Sequence, residues 1–168
     1  MLLLTFCQWL ENTPPAMAFR DSVWMFNLAE TTHTLGIIFV AGTIMLVDLR
    51  LLGLGLKREP VSDVVGRMVP FTLWGFALMF ATGICLFSTE AVKLYASPTF
   101  RIKLVLLILA GVNALVFHLT VYRKAAEWDN APVAPFRARV AGLLSLVFWM
   151  AIIAAGRAIA YTPGYDRT

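Results

Sequence analysis

The chain reads as an all-α integral membrane protein, an antiparallel four-helix bundle preceded by a short N-terminal interfacial segment. Three observations predict it. Hydrophobic residues make up 60% of the 168 residues and charged residues only 14%, a composition outside the range of soluble globules. Four windows carry no Asp, Glu, Lys or Arg: Thr31 to Val47, Met68 to Thr89, Leu104 to Tyr122 and Val140 to Gly156. Each approaches or exceeds the roughly 17 to 25 residues that a spanning helix needs. The hydrophilic stretches between them are short, which favours antiparallel neighbours and leaves no room for a soluble domain. We therefore expect one transmembrane domain over 1–168, with an interfacial segment at 1–22 and spans at about 26–54, 67–91, 98–124 and 136–161.

Taken in order, Met1 to Asn12 is apolar apart from Gln8 and Glu11, and Thr13-Pro14-Pro15 breaks any helix there because proline lacks a backbone donor. No cationic start or small-residue cleavage pattern marks a signal peptide, so this stretch is expected to lie in the interface with Trp9 and Trp24 as anchors. Asp21 and Ser22 offer N-caps for the first span. After Lys57-Arg58-Glu59-Pro60, Ser62 or Asp63 can cap the lead into the second, in which Pro70 either kinks a long helix or starts a straight segment. Ser97-Pro98 supplies a serine cap and a first-turn proline for the third. Trp128 to Pro135 breaks the chain before the fourth, and Thr162-Pro163-Gly164 ends it.

Small residues let helices approach closely in lipid. Gly111, Ala114 and His118 share a face of the third helix, and Gly142, Ser145, Trp149, Ile152 and Gly156 share one of the fourth. The net charge of +4 sits mostly in loops. Arg50, Lys57, Arg58, Arg67, Arg123, Lys124, Arg137 and Arg139 fall on one side of the bundle, which by the positive-inside rule puts both termini outside. Arg101 and Lys103 run against that bias.

Several functions are excluded by what is missing. Cys7 and Cys85 form neither a disulfide framework nor a zinc spacing. No basic aromatic face suits a nucleic acid. A phosphate-binding glycine loop, a nucleophile elbow and a zinc-type histidine pair are all lacking, so no catalytic residue is assigned.

The remaining candidates are polar groups inside the spans, where an ionisable residue is costly and therefore informative. His33 and His118 are the two histidines, and either could ligate haem iron or another metal. They do not suit one bis-histidine haem. His33 lies at the outer end of the first span and His118 at the inner end of the third, roughly 15 to 20 Å apart in depth. One histidine per site remains, as with His118 and Met45 around a haem b, or a lone histidine on the magnesium of a chlorophyll-type pigment. Hydrogen bonding between helices is the competing reading for each. Glu30 and His33 are neighbours one turn apart, and Arg157 arrives at the same outer depth. That trio could bind a quinone headgroup, or could simply tie the first helix to the fourth. Asp48 is expected to meet Arg67 or Arg123, with Arg50 snorkelling to phosphates. Asn113 reads as a helix-joining amide and Trp149 as a packing residue that could also line a pigment or quinone pocket.

The pattern Ala29-Glu30-Thr31-Thr32-His33-Thr34-Leu35-Gly36, then Val47-Asp48-Leu49-Arg50-Leu51-Leu52-Gly53, Phe100-Arg101-Ile102-Lys103 and Gly156-Arg157 resembles a family of small uncharacterised bacterial inner-membrane proteins with four predicted spans. The resemblance covers nearly the whole chain. It implies an inner-membrane location and singles out Glu30, His33, Asp48 and Arg157, without implying an activity. A looser similarity is to b561-type membrane cytochromes, which hold two haems on four histidines where this chain has two. The expectation for function is a small membrane subunit accessory to an electron-transfer complex, binding haem, pigment or quinone through His33, His118, Glu30, Arg157 and Trp149 and contacting other membrane subunits. A cofactor-free structural or assembly protein is the alternative, and a small permease a weaker one.

Overall fold

The computed structural model describes residues 2–159 and 161. Two short helices, α1 (Leu2–Glu11) and α2 (Pro14–Asp21), precede the long α3 (Val23–Leu52) and α4 (Val61–Thr89). A short α5 (Ala91–Ala96) leads into α6 (Pro98–Val116), which continues through a π turn at Phe117–Val121 and a 3-10 segment at Tyr122–Glu127. The last helix is α7 (Phe136–Ile159). No strand occurs among the described residues. Among the described residues four helical stretches, with α6 counted through Glu127, are long and apolar enough to cross a membrane. The chain is a multi-pass membrane protein.

Local chemistry accounts for most helix ends. Ser22 Oγ accepts from the Met25 N–H and Ser97 Oγ from the Phe100 N–H, each at 3.3 Å, so both serines cap as expected. Pro14 and Pro98 occupy first-turn positions where no donor is missed. Gly53, at φ +70°, closes α3, and only glycine takes that conformation without strain. Pro70 sits inside an uninterrupted α4. The N-terminus of α4 departs from expectation. Neither Ser62 nor Asp63 caps it. Instead Asp129, from the loop before α7, accepts from the Ser62 N–H at 2.7 Å and the Ser62 hydroxyl at 2.6 Å, while its carbonyl accepts from the Val61 N–H at 3.2 Å. Those donors hold the Asp129 carboxyl below the usual carboxylate range.

The N-terminal segment is two helices, divided at Asn12-Thr13, that pack on the bundle. The α1 helix lies against α5, where Glu11 accepts from the Val92 N–H at 3.3 Å, and α2 lies against α3 and α4. The expected stop at Thr162-Pro163-Gly164 lies outside the described residues.

Among the spanning helices, α3 packs on α4 and α7, and α6 packs on α7. The closest approach joins α3 to α4. A Cβ on Gly75 would fall 2.7 Å from Val40 Cγ2, and one on Gly36 the same distance from Met79 Cγ. Thr43 and Thr72 hydroxyls bridge the same pair at 2.7 Å. Gly142 of α7 sits under the Asp48 carbonyl of α3, 3.3 Å from where its Cβ would be. Two packing layers result, one around Val40, Ala110, Trp149 and Ile152, the other around Leu51, Val61, Val65 and Ala138. Helices α4 and α6 do not pack against each other in this way, and the space between them matters below.

Candidate functional site

A chamber of about 420 Å³ opens between the two layers. Each spanning helix contributes a wall: Ile44, Val47, Asp48 and Leu51 from α3, Val65, Val69, Thr72 and Phe76 from α4, Leu107 to His118 in part from α6, and Ala141, Ser145 and Trp149 from α7. The walls are mainly apolar, and the polar side chains among them are Asp48, Thr72, Asn113, His118, Ser145 and the Trp149 indole. This is the general form of a small-molecule site, an apolar concavity with a few placed polar groups.

Asp48 is the unusual member. The residue is 4% exposed, Ser145 is its polar neighbour in the chamber wall, and its Oδ2 has no partner. No ion pair joins it to Arg67, which instead lies near Glu59 and Asp63, or to Arg123 among the described residues. The expected pairing is therefore corrected. Arg67 is exposed on α4. Arg50 also departs from expectation, because it is 0% exposed and cannot reach phosphates. Its Nε donates to the Glu59 carbonyl at 2.7 Å, and its Nη2 donates to those of Asp129 and Ala131 at 3.2 and 3.0 Å. It fastens two loops to the end of α3.

His118 stands at the rim of the chamber, exposed, with its ring stacked on Tyr122 at 5.2 Å. It falls in the π turn, a distortion that re-aims side chains and recurs at functional sites. Trp149 is buried at 6% exposure, its ring 5.8 Å from Phe76. Asn113 donates to the Ala141 carbonyl at 2.9 Å, joining α6 to α7 as its mid-span position foretold. Met45 is 46% exposed and takes no part in the lining, so a His118 and Met45 ligand pair is not assembled.

His33 belongs elsewhere. Its Nδ1 and the Thr82 hydroxyl are 2.9 Å apart, and its ring closes on Gly83, where a Cβ would lie 3.3 Å from Cε1. Fifteen residues of α3 separate it from Asp48, about 22 Å of helix. The two histidines therefore occupy opposite depths and cannot share a metal. No group of three or more potential metal-ligating side chains occurs among the described residues. Glu30 and Arg157 do not converge on His33 as a trio. Glu30 is exposed, and Arg157 turns to Tyr161, donating to its hydroxyl at 3.2 Å with the guanidinium 5.5 Å from the ring. Lys103 reaches α7 instead, its Nζ 3.6 Å from where a Gly156 Cβ would be. Lys103, Thr82 and Ser145 escaped sequence reasoning as site residues. Ser145 carried a signal, since it shares a helix face with Trp149, and so did Lys103, a cation on the side opposite the main charge cluster and part of the Phe100-Arg101-Ile102-Lys103 pattern.

No curated protein and no solved structure matches the chain. A family model does, over residues 21–162, from the start of α3 to the end of α7. The chain belongs to that family, described as a family of unknown function, DUF6644.

Proposed function

We propose that this protein is a small accessory membrane subunit of an electron-transfer complex and that its chamber holds a quinone-class molecule. The observation that carries the reading is the 420 Å³ chamber with Asp48, Ser145, Asn113 and His118 set in otherwise apolar walls. A quinone needs an apolar slot for its ring and a few hydrogen-bonding groups for its oxygens. Haem b fits less well, because His118 is the chamber's single histidine and Met45 faces away. A chlorophyll-type pigment needs one axial ligand, which His118 could supply. The reading also places the protein in a bacterial inner membrane with both termini periplasmic, supported by the loop charge bias.

The test is direct. Protein purified from its native membrane in mild detergent should yield extractable quinone at roughly one molecule per chain, with no Soret or pigment band in its absorption spectrum. A Soret or pigment band would replace quinone with a tetrapyrrole. Neither band nor quinone would defeat the cofactor reading. A second reading, a structural or assembly protein, is favoured by the way Asn113 and His33 are engaged in joining helices. It predicts that His118→Gln leaves both complex activity and assembly intact.

A further inference from the structure

The chamber's polar end and its open side together define what it would take. Asp48 Oδ2 is enclosed and unpartnered, and a buried polar atom without a partner costs on the order of 1 to 3 kcal/mol. Ser145 lines the same chamber wall. A ligand hydroxyl can donate to Oδ2 when the group is ionised and accept from it when it is protonated. A ketone oxygen can only accept.

The open side lies between α4 and α6. Both helices line the chamber and meet at its two ends, through the Phe87–Phe100 ring stack and the packing of Val121 and Tyr122 against the layer of Val61 and Val65. Between those ends each packs mainly on another neighbour. Val69 and Phe76 on one bank and Gly111 and Ala114 on the other are exposed as well as lining. An added Cβ at Gly111 meets nothing within 4 Å. This slot faces the position of the lipid in a membrane-spanning bundle.

We infer that the chamber is a binding site for a lipid-soluble phenol or quinol, entered sideways from the bilayer between α4 and α6 and held by a hydroxyl on Asp48. The inference rests on the quinone-class reading and refines it from the oxidised to the hydroxyl-bearing form. No electron transfer is part of it, only preferential binding. His118 at the rim is placed for the far end of the head, and Trp149 and Phe76 for the face of its ring.

The experiment uses full-length protein in lipid nanodiscs, stripped of bound small molecules. The probes are a short-chain alkyl benzoquinol kept reduced, its dione, and its dimethyl ether, which matches the ring and tail but cannot donate. The quinol should bind about tenfold more tightly than the ether, the difference expected for one buried hydrogen bond to a charged group. Asp48→Asn should cut that preference to about twofold or less while the ether's affinity holds. Gly111→Trp should weaken all three by obstructing the slot. Equal binding of quinol and ether to the unaltered protein overturns the assignment to Asp48 and leaves the quinone-class reading standing. Undiminished binding to a folded Gly111→Trp protein overturns the sideways route. Failure of all three probes to bind the unaltered protein overturns both the inference and the reading beneath it.

Discussion

Two charged side chains, two positions apart near the end of α3, meet burial to different degrees. Arg50 gives Nε and Nη2 to three loop carbonyls and leaves Nη1 buried without a partner, whereas Asp48 is left with an oxygen, Oδ2, that nothing in the chain serves. The first is a structural solution. An Arg50→Met substitution should therefore strip partners from three backbone acceptors and lower stability by roughly 3 kcal/mol, seen as a fall in the melting temperature of the detergent-solubilised protein. Arg50→Lys should recover only part of it, because one ammonium cannot reproduce a planar fork. Asp48→Asn, by contrast, replaces a buried ionisable carboxyl by a neutral amide of the same shape and should leave the melting temperature unchanged or higher. If Asp48 instead serves stability, the Asn variant will melt lower. The sequence shows that these two residues point in different directions from one helix, since 200° of turn separates them. It cannot show which one finds partners, because those partners come from loops 9 to 81 residues away.

At the scale of elements, the bundle depends on contacts that glycine permits. Gly75 lets α4 close on Val40 of α3. A valine there meets a β-branched side chain and backbone at once, and overpacking of this kind costs on the order of 1 to 3 kcal/mol. Gly75→Val should lower the melting temperature, while Gly66→Val, where no neighbour lies within 4 Å, should not through packing. A second element-level prediction concerns the cap on α4. Ser62 favours the ionised form of Asp129, so its carboxyl titrates lower in the folded protein than in the unfolded chain. The stabilisation is therefore present above the unfolded value near pH 4 and is lost as pH falls through the folded value. Asp129→Asn should cost about 1 kcal/mol at neutral pH, the usual worth of a helix cap, and the gap between the two melting curves should narrow as pH drops towards 3. A gap that stays constant over that range would contradict the charged cap. Caps made by the adjoining residue, at Ser22 and Ser97, are legible in the chain. The cap on α4 is not, because its donor residue and its acceptor lie 67 positions apart.

At the scale of the molecule, hydropathy alone determines four spanning helices, and an even number of crossings returns both termini to one face. Single cysteines placed at Arg58 and at Trp9, in a background lacking Cys7 and Cys85, should be labelled by an impermeant thiol reagent from opposite sides. Labelling from the same side would refute the topology. The chamber is another matter. Trp149, Gly111 and His118 are recognisable as members of helix faces, yet a cavity arises from which faces are left unpaired, and here that is the gap between α4 and α6. His33, Glu30 and Arg157 were expected to converge from their common depth, but depth fixes height along the membrane normal and leaves direction free. The central claim is that the chamber is a site for a lipid-soluble small molecule. Native mass spectrometry of protein released gently from its own membrane tests it most directly. The unaltered chain should carry one additional apolar small molecule that the Gly111→Trp variant lacks, whereas a bare chain mass in both, or the same adduct in both, would contradict the account.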